Sequence, residues 1–346
     1  MNKNKIIWFI VFLILVALTM YTIINGGSNF SFDGFMRYLS VANPFWMTAA
    51  VGCMLLYILM EGFSIKYLTD FLGSRTNVRR GCLYSAADIF FSAITPSATG
   101  GQPASAFFMM RDSIPASVTA MALLINIALY TISIIFIGVV CIIFSPATFM
   151  RFGAFSRFLI ICGFVIQIAC VVTFALLVYK DRIMYKIADK ILVIAKKLHL
   201  AKHVEKKRKK LEKSALEYKE CSKAVKNHFG VIVKAFLLNV LQRIAQMGVT
   251  VCVYIASCNT VDKVGEVFAA QGCVILGSNA VPVPGAVGVA DYLFFEGFDD
   301  IVKDNLVNLE LLSRGISFYV CIMLCIAVVA VCYFTDRKRK LRKTKK

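Results

Sequence analysis

The chain has 346 residues, 59% of them apolar, a formal net charge of +19 and a mean hydropathy of +0.72. A soluble domain is about 45–50% apolar, so water is excluded as the main solvent. The charge does not point to a nucleic-acid surface either, because the basic residues are clustered beside apolar runs rather than spread over a face.

A spanning helix needs about 20 mainly apolar residues, and six runs supply them: Ile6 to Ile24, Phe45 to Ile65, Ile114 to Phe144, Phe155 to Tyr179, Phe229 to Ser257 and Leu312 to Phe334. The first follows Lys3 and Lys5, as a secretory signal would. Its apolar run is longer than a signal core and Asn25-Gly-Gly-Ser-Asn-Phe offers no cleavage pattern, so an uncleaved anchor is expected.

Lysines at the amino terminus place it inside by the positive-inside rule. The first run then ends outside at Gly26-Gly27, a nearly uncharged connection carrying Asp33 and Arg37 follows, and the second returns to Lys66, Arg75, Arg79 and Arg80. Arg80 and Arg111 fall on the same side, with residues 82–110 between them. Cys82 to Ile94 spans roughly 20 Å as helix, short of a hydrocarbon core of about 30 Å. Thr95, Pro96, Ser97, Thr99, Gly100, Gly101, Gln102 and Pro103 then interrupt it. Pro103 suits the first turn of a second half-helix, and the whole segment reads as a re-entrant hairpin.

Residues 180–228 hold 16 Lys/Arg against six Asp/Glu. Ile183, Ile187, Ile191, Ile194 and Leu198 recur at helical spacing with lysines between them, which suits a helix on the inner surface contacting anionic lipids. Lys206 to Lys210 reads as a solvated turn. His199 and His203 are one turn apart but lack a third ligand, so no metal is expected; the twelve cysteines include no C-x-x-C pair and read as packing residues.

A second broken segment, residues 267–298, starts and finishes outside and is interrupted by Pro282, Pro284, Gly285 and Gly288. Three crossings separate the two hairpins, an odd number, which inverts one relative to the other. Aligned at an offset of 187, residues 92–108 and 279–295 share four identities in 17 positions: Ala93 with Ala280, Gly101 with Gly288, and Phe107-Phe108 with Phe294-Phe295. This agrees with an inverted repeat whose broken helices meet near the midplane at a substrate site. The expected fold is an all-α polytopic membrane protein, one integral domain over 1–346. Its halves run to about residue 179 and over 229–334, giving about six full crossings and two re-entrant hairpins. Both termini are cytoplasmic, and the tail 335–346 carries eight Lys/Arg from Arg337 onward.

Unwound backbone at membrane depth belongs in protein or beside a wet cavity, so a cavity between the hairpins is the default site. Half-helix amino termini at Pro103 and near Gly288 would present free N–H groups to a phosphate. Ionisable residues in or near the spans are Glu61, Asp88, Arg111, Arg243, Asp291, Glu296 and Arg314. Asp88 and Asp291 are candidates to meet a cationic head group, while Glu61, Arg111, Glu296 and Arg314 are placed near the interfaces, where snorkelling accounts for them. Asn239, Gln242, Arg243 and Gln246 share one helix face; the stripe either glues helices or lets Arg243 meet a lipid phosphate. The candidate lining is completed by Thr95, Pro96, Thr99, Gly100, Gly101, Gln102, Asn279, Pro282, Pro284, Gly285 and Gly288. No catalytic motif, cofactor fingerprint or large soluble domain is present.

Thr95-Pro-Ser-Ala-Thr-Gly-Gly-Gln-Pro-Ala-Ser, ending in Arg111, and the later Pro282-Val-Pro-Gly-Ala-Val-Gly-Val-Ala-Asp together resemble the transmembrane region of lysylphosphatidylglycerol synthase, the flippase half of the bacterial multiple peptide resistance factor. The family's late motif commonly reads Gly-Gly-x-Glu; here Gly288-Val-Ala-Asp291 keeps an acid one methylene shorter. The resemblance implies translocation of an aminoacylated phosphatidylglycerol between leaflets of a bacterial cell membrane. The alternative is a phosphatidylglycerol lysyltransferase using lysyl-tRNA, or a membrane partner of one, contributing to resistance to cationic antimicrobial peptides. That chemistry belongs to a soluble carboxy-terminal domain in the complete factor, and none follows the last span here. Expected partners are the phospholipid substrate, anionic inner-leaflet lipids, and a second copy or a separate synthase subunit; no nucleic acid is expected unless the lysyl-tRNA alternative holds.

Overall fold

A computed structural model describes residues 31–95, 99–180, 204–279, 281, 288–302 and 305–344. The first apolar run, the Ile183–Leu198 segment, His199, His203, Pro96, Pro282, Pro284 and Gly285 lie outside the described residues.

Among those residues every regular element is helical, and five helices are long and apolar enough to cross a membrane. A short helix, α1 (Phe32–Val41), precedes the first of them, with Ser31 Oγ accepting from Gly34 N at 3.3 Å. The second, α2 (Pro44–Phe71), begins with Pro44 at its first position and Asn43 as its cap, whose side chain accepts from Phe45 N at 3.0 Å. The first hairpin follows as α3 (Val78–Ile94) and α4 (Gly101–Arg111), which pack on each other. Next come α5 (Ala116–Phe144), a short α6 (Pro146–Arg151) and α7 (Ala154–Tyr179).

The basic α8 (Val204–Asn227) leads into α9 (Phe229–Cys258), which ends where Asn259 turns left-handed at φ 49°. The second hairpin is α10 (Val264–Ser278) and α11 (Val289–Phe298). The last rod runs through α12 (Leu306–Arg314), a π-helical turn over Gly315–Val320 and α13 (Cys321–Thr344).

At 1.5 Å per residue α4 and α11 reach only about 15 Å, half of what a crossing requires. They are arms of hairpins. Their packing follows an exchange rule: α2 lies along α9, α5 packs against α10, and α13 packs against α3. The helix that follows each hairpin therefore lies on the first arm of the other. Three long helices, α5, α7 and α9, separate the hairpins, so the two enter from opposite faces.

Lipid, rather than water, explains the surface. On α7 the exposed side chains include Phe155, Phe158, Ile161, Val165 and Val172, which a helix facing hydrocarbon can leave unpaired at no cost. Inside, small residues bring backbones together. A Cβ on Gly81 would run into the carbonyl oxygen of Gly62, and one on Gly62 would come 2.9 Å from Cys82 N. Overpacking such a crossing costs about 1–3 kcal/mol. Gly81→Val is thus expected to lower the melting temperature in detergent, whereas Gly52→Ala, with nothing within 4 Å of the added methyl, is expected to leave it unchanged.

Two local expectations are corrected. Lys206 to Lys210 is helix, not a turn, because Glu205 and Lys209, and Arg208 and Glu212, are opposite charges four residues apart with no Gly or Pro between them. Farther along, α8 is tied to the end of α7: Tyr218 Oη donates to Leu177 O at 2.9 Å and Ser222 Oγ to Val178 O at 2.7 Å, satisfying carbonyls that a helix end leaves free. The first hairpin also begins at Val78 instead of Cys82. Arg79 Nη2 donates to Cys332 O at 2.9 Å and Arg80 Nε lies 3.4 Å from Asp112 Oδ2, so the two arginines placed on the inner side are held by neighbours.

Candidate functional site

The break after α3 is closed by Thr95, whose hydroxyl donates to Phe91 O at 2.6 Å and accepts from Gly100 N at 2.9 Å. The chain then turns so tightly that a Cβ on Gly101 would overlap Ser92 Oγ and Asp88 Oδ1; glycine is needed there for space. Gln102 Nε2 donates to Asp88 Oδ2 at 2.6 Å and Ser92 Oγ to Asp88 Oδ1 at 3.2 Å. Asp88, 5% exposed, thereby locks the two arms together and sets a carboxylate against the amino end of α4.

The second hairpin repeats the device. Gly288 takes φ 87°, and its N–H donates to Asp291 Oδ2 at 2.8 Å. Asp291 is 3% exposed and forms an ion pair with Arg314. Each half-helix amino end thus already faces a carboxylate of the chain. A phosphate at these ends would have to displace Asp88 or Asp291, and Asp291, paired with Arg314, is not free to meet a cation.

Arg243, unlike Arg314, forms no ion pair among the described residues. A cavity of about 600 Å³ lies between the hairpins, walled by Asp88, Ser92 and Gln102 from the first and by Gln271, Asn279 and Phe294 from the second. Tyr57, Glu61, Asn126, Tyr130, Gln167, Arg243, Glu310 and Arg314 complete its polar lining, between apolar residues such as Ile127, Ile166 and Val274. The guanidinium of Arg243, 2% exposed, lies 4.9 Å from the Tyr57 ring centroid and 4.1 Å from that of Tyr130. Its Nη1 donates to Gln246 Oε1 at 2.7 Å, while Nε and Nη2 have no hydrogen-bond partner among the described residues.

Groups on α5 and α2 connect this site to the two hairpins. Tyr130 Oη donates to Asn279 Oδ1 at 3.1 Å at the end of α10. On the other side Gln242 Nε2 donates to Glu61 Oε2 at 3.0 Å, and Ser85 Oγ of α3 reaches the same oxygen at 3.3 Å.

Of the residues expected from sequence, Asp88, Gln102, Arg243 and Asn279 line the cavity together. Thr95, Gly100, Gly101, Gly288 and Asp291 shape the breaks behind it, and Gln242 buttresses Glu61. Asn239 is a packing group instead: its Nδ2 donates to Ala235 O at 2.9 Å and Ser64 Oγ at 3.0 Å. Arg111 and Thr99 are exposed and do not line it.

Two placements near the interface are corrected. Glu61 is 6% exposed in the cavity wall, and Arg314 is the buried partner of Asp291. Glu296 accepts from Gly153 N at 2.8 Å and from Ser156 Oγ, capping the start of α7. Glu310 and the two tyrosines were not expected. Glu310 is 3% exposed with Oε1 3.8 Å from Arg314 Nε; its i,i+4 spacing to Arg314 was a readable signal, hidden because the apolar run begins only at Leu312. Nothing in an apolar helix marks Tyr57 or Tyr130 as covering a cation.

Among the described residues, an all-helical arrangement with five long apolar helices, two broken-helix hairpins and a charged cavity between them is that of a multi-pass membrane protein. Residues 6–325 match the family described as the lysylphosphatidylglycerol synthase TM region, and the chain belongs to it. No curated protein matches the sequence.

Proposed function

We propose that the chain is a lipid translocase that moves an aminoacylated phosphatidylglycerol, or a related phospholipid, between leaflets of a bacterial cell membrane. The observation that carries this reading is the position of Arg243: a buried guanidinium, held against Tyr57 and Tyr130 and in no ion pair among the described residues, in the wall of a cavity that both hairpins line. A guanidinium fork fits a phosphodiester, and the carboxylates of Glu61, Asp88 and Glu310 on the same walls suit the ammonium of an aminoacyl group. The apolar lining between them accommodates acyl-chain surface near the head group.

In this reading both termini are cytoplasmic, and the basic face of α8 rests on anionic lipids of the inner leaflet. A separate synthase subunit would supply the substrate, and a second copy of the chain is the other expected partner. On a Cys-depleted background, single cysteines at Arg80 and Arg111 are expected to label only from inside, and those at Glu266 and Asp299 only from outside; the reverse pattern would invert the topology.

Vesicles containing the purified chain, assayed by leaflet-selective labelling of lysylphosphatidylglycerol and plain phosphatidylglycerol, test the function. Movement above protein-free vesicles is expected for the aminoacylated lipid. No movement of any lipid tested would sink the proposal, and a new cationic lipid formed from lysyl-tRNA would favour synthesis instead.

A further inference from the structure

The cavity wall carries more carboxylates than cations. Glu61, Asp88 and Glu310 line it with exposures of 6%, 5% and 3%, and Asp291 stands behind at 3%. Only Arg243 and Arg314 oppose them, and no Lys or His contributes to the lining. Arg314 is engaged by Asp291, with Glu310 as a looser second partner at 3.8 Å. Arg243 lies between two tyrosine rings and forms no ion pair among the described residues.

Glu61 and Asp88 are hydrogen-bonded by neutral donors, Gln242 and Ser85 for the first and Gln102 and Ser92 for the second, and the nearby charge of Arg243 acts on Glu61 without forming an ion pair with it. Ser85 and Asp88 are one turn apart on α3, so the two acids stand on adjoining parts of one wall. Two ionised carboxylates sharing the charge of a single nearby arginine are expensive at membrane depth, and acids that interact with each other titrate as a pair.

We propose that Glu61 and Asp88 form a proton-binding site, which holds a proton while no cationic group occupies the cavity and releases it when an ammonium takes its place. Charge in the wall is then conserved, one cation exchanging for another, and the release couples lipid movement to the proton gradient. A metal ion suits the site poorly. The amide N–H groups of Gln242 and Gln102 point at the carboxylates where a metal would need oxygen ligands, and no cluster of three His, Cys, Asp or Glu residues with metal-holding geometry occurs among the described residues. The other titratable groups in the lining are Tyr57 on α2, Tyr130 on α5, Cys170 on α7, Arg243 on α9, Glu310 and Arg314 on α12, and Cys321 on α13. None adds a histidine, and the arginines stay charged throughout.

The proton site stands apart from the translocase reading; its coupling to lipid rests on that reading. Infrared spectra of the full chain in lipid nanodiscs, recorded between about pH 5 and pH 9, read the site directly. A buried carboxylic-acid carbonyl band is expected at neutral pH in the wild type, lost in Glu61→Gln or Asp88→Asn, and unaffected by sodium at constant pH. Absence of the band in the wild type, which needs no variant to fold, overturns the proposal, as does its removal by sodium.

In vesicles an imposed pH gradient is expected to drive lysylphosphatidylglycerol across, with loss of that response in Glu61→Gln. A carbonyl band without any lipid movement defeats the translocase reading and leaves the proton site standing. Lipid movement indifferent to the gradient defeats the coupling.

Discussion

Replacing Arg243 by methionine is expected to slow lipid translocation at least tenfold while barely changing the melting temperature. The first effect follows from the place of the guanidinium in the cavity wall, where a lipid phosphate would meet it. A charge-assisted hydrogen bond contributes about 1.5–3 kcal/mol, and each 1.4 kcal/mol is roughly tenfold. The second follows from opposing terms within the protein. Burying a guanidinium without a carboxylate partner is costly, and the two tyrosine faces and Gln246 return only part of that cost. A flexible apolar chain of similar length offsets its loss.

Arg243→Lys keeps the charge but loses the planar fork and the stacking surface, and is expected to recover only part of the rate. Translocation assays paired with thermal melts in detergent check both. Wild-type transport in Arg243→Met would remove Arg243 from the site. A large fall in melting temperature would make it a structural residue.

The second large effect is expected at Arg314, and it concerns stability. Arg314→Met leaves Asp291 and Glu310, each 3% exposed, with no cation between them. Breaking a buried ion pair by removing one partner costs about 3–5 kcal/mol. Asp291→Asn is gentler. The amide oxygen can still accept from Gly288 N, and Arg314 keeps Glu310 at 3.8 Å, so a loss of about 1–3 kcal/mol is expected. Melting the two variants side by side should place Arg314→Met clearly lower, with partial recovery in the double variant. If Asp291→Asn instead melts like wild type and loses transport, Asp291 is a head-group contact and its pairing with Arg314 is incidental.

Helix limits were legible wherever composition changes abruptly. The run Ile114 to Phe144 became Ala116–Phe144, Phe155 to Tyr179 became Ala154–Tyr179, and Phe229 to Ser257 became Phe229–Cys258. The first two are bounded by Pro, Ser, Gly or charge and the third by His228 and a left-handed Asn259, so apolar length and local backbone chemistry agree. Limits set by contacts were not legible. Helix α2 runs on to Phe71, six residues past the apolar run, through Lys66 and Asp70, which pair at 2.6 Å, and Asp70 also accepts from Thr76 N.

The candidate site divides the same way. Gly101, Gln102 and Asp88 were found because a break that glycine and proline force also needs a polar group to tie it. Asn239 and Gln242 were found on one face with their duty left open between gluing helices and meeting a ligand, since a polar stripe has the same period whether it meets a ligand, a neighbouring serine or a glutamate.

By itself the sequence determined the membrane as solvent, the number and length of the apolar runs between residues 44 and 334, and the two places where helices fail. These depend on hydrophobic length and on residues that cannot continue a helix, both of which are local properties. Only the tertiary structure decided that Asp291 belongs to Arg314, that Glu61 and Glu310 face a cavity, and that Arg243 stands against two tyrosine rings in the wall of that cavity. Those facts depend on how each helix is rotated against its neighbours, and rotation is set by packing among residues far apart in the chain.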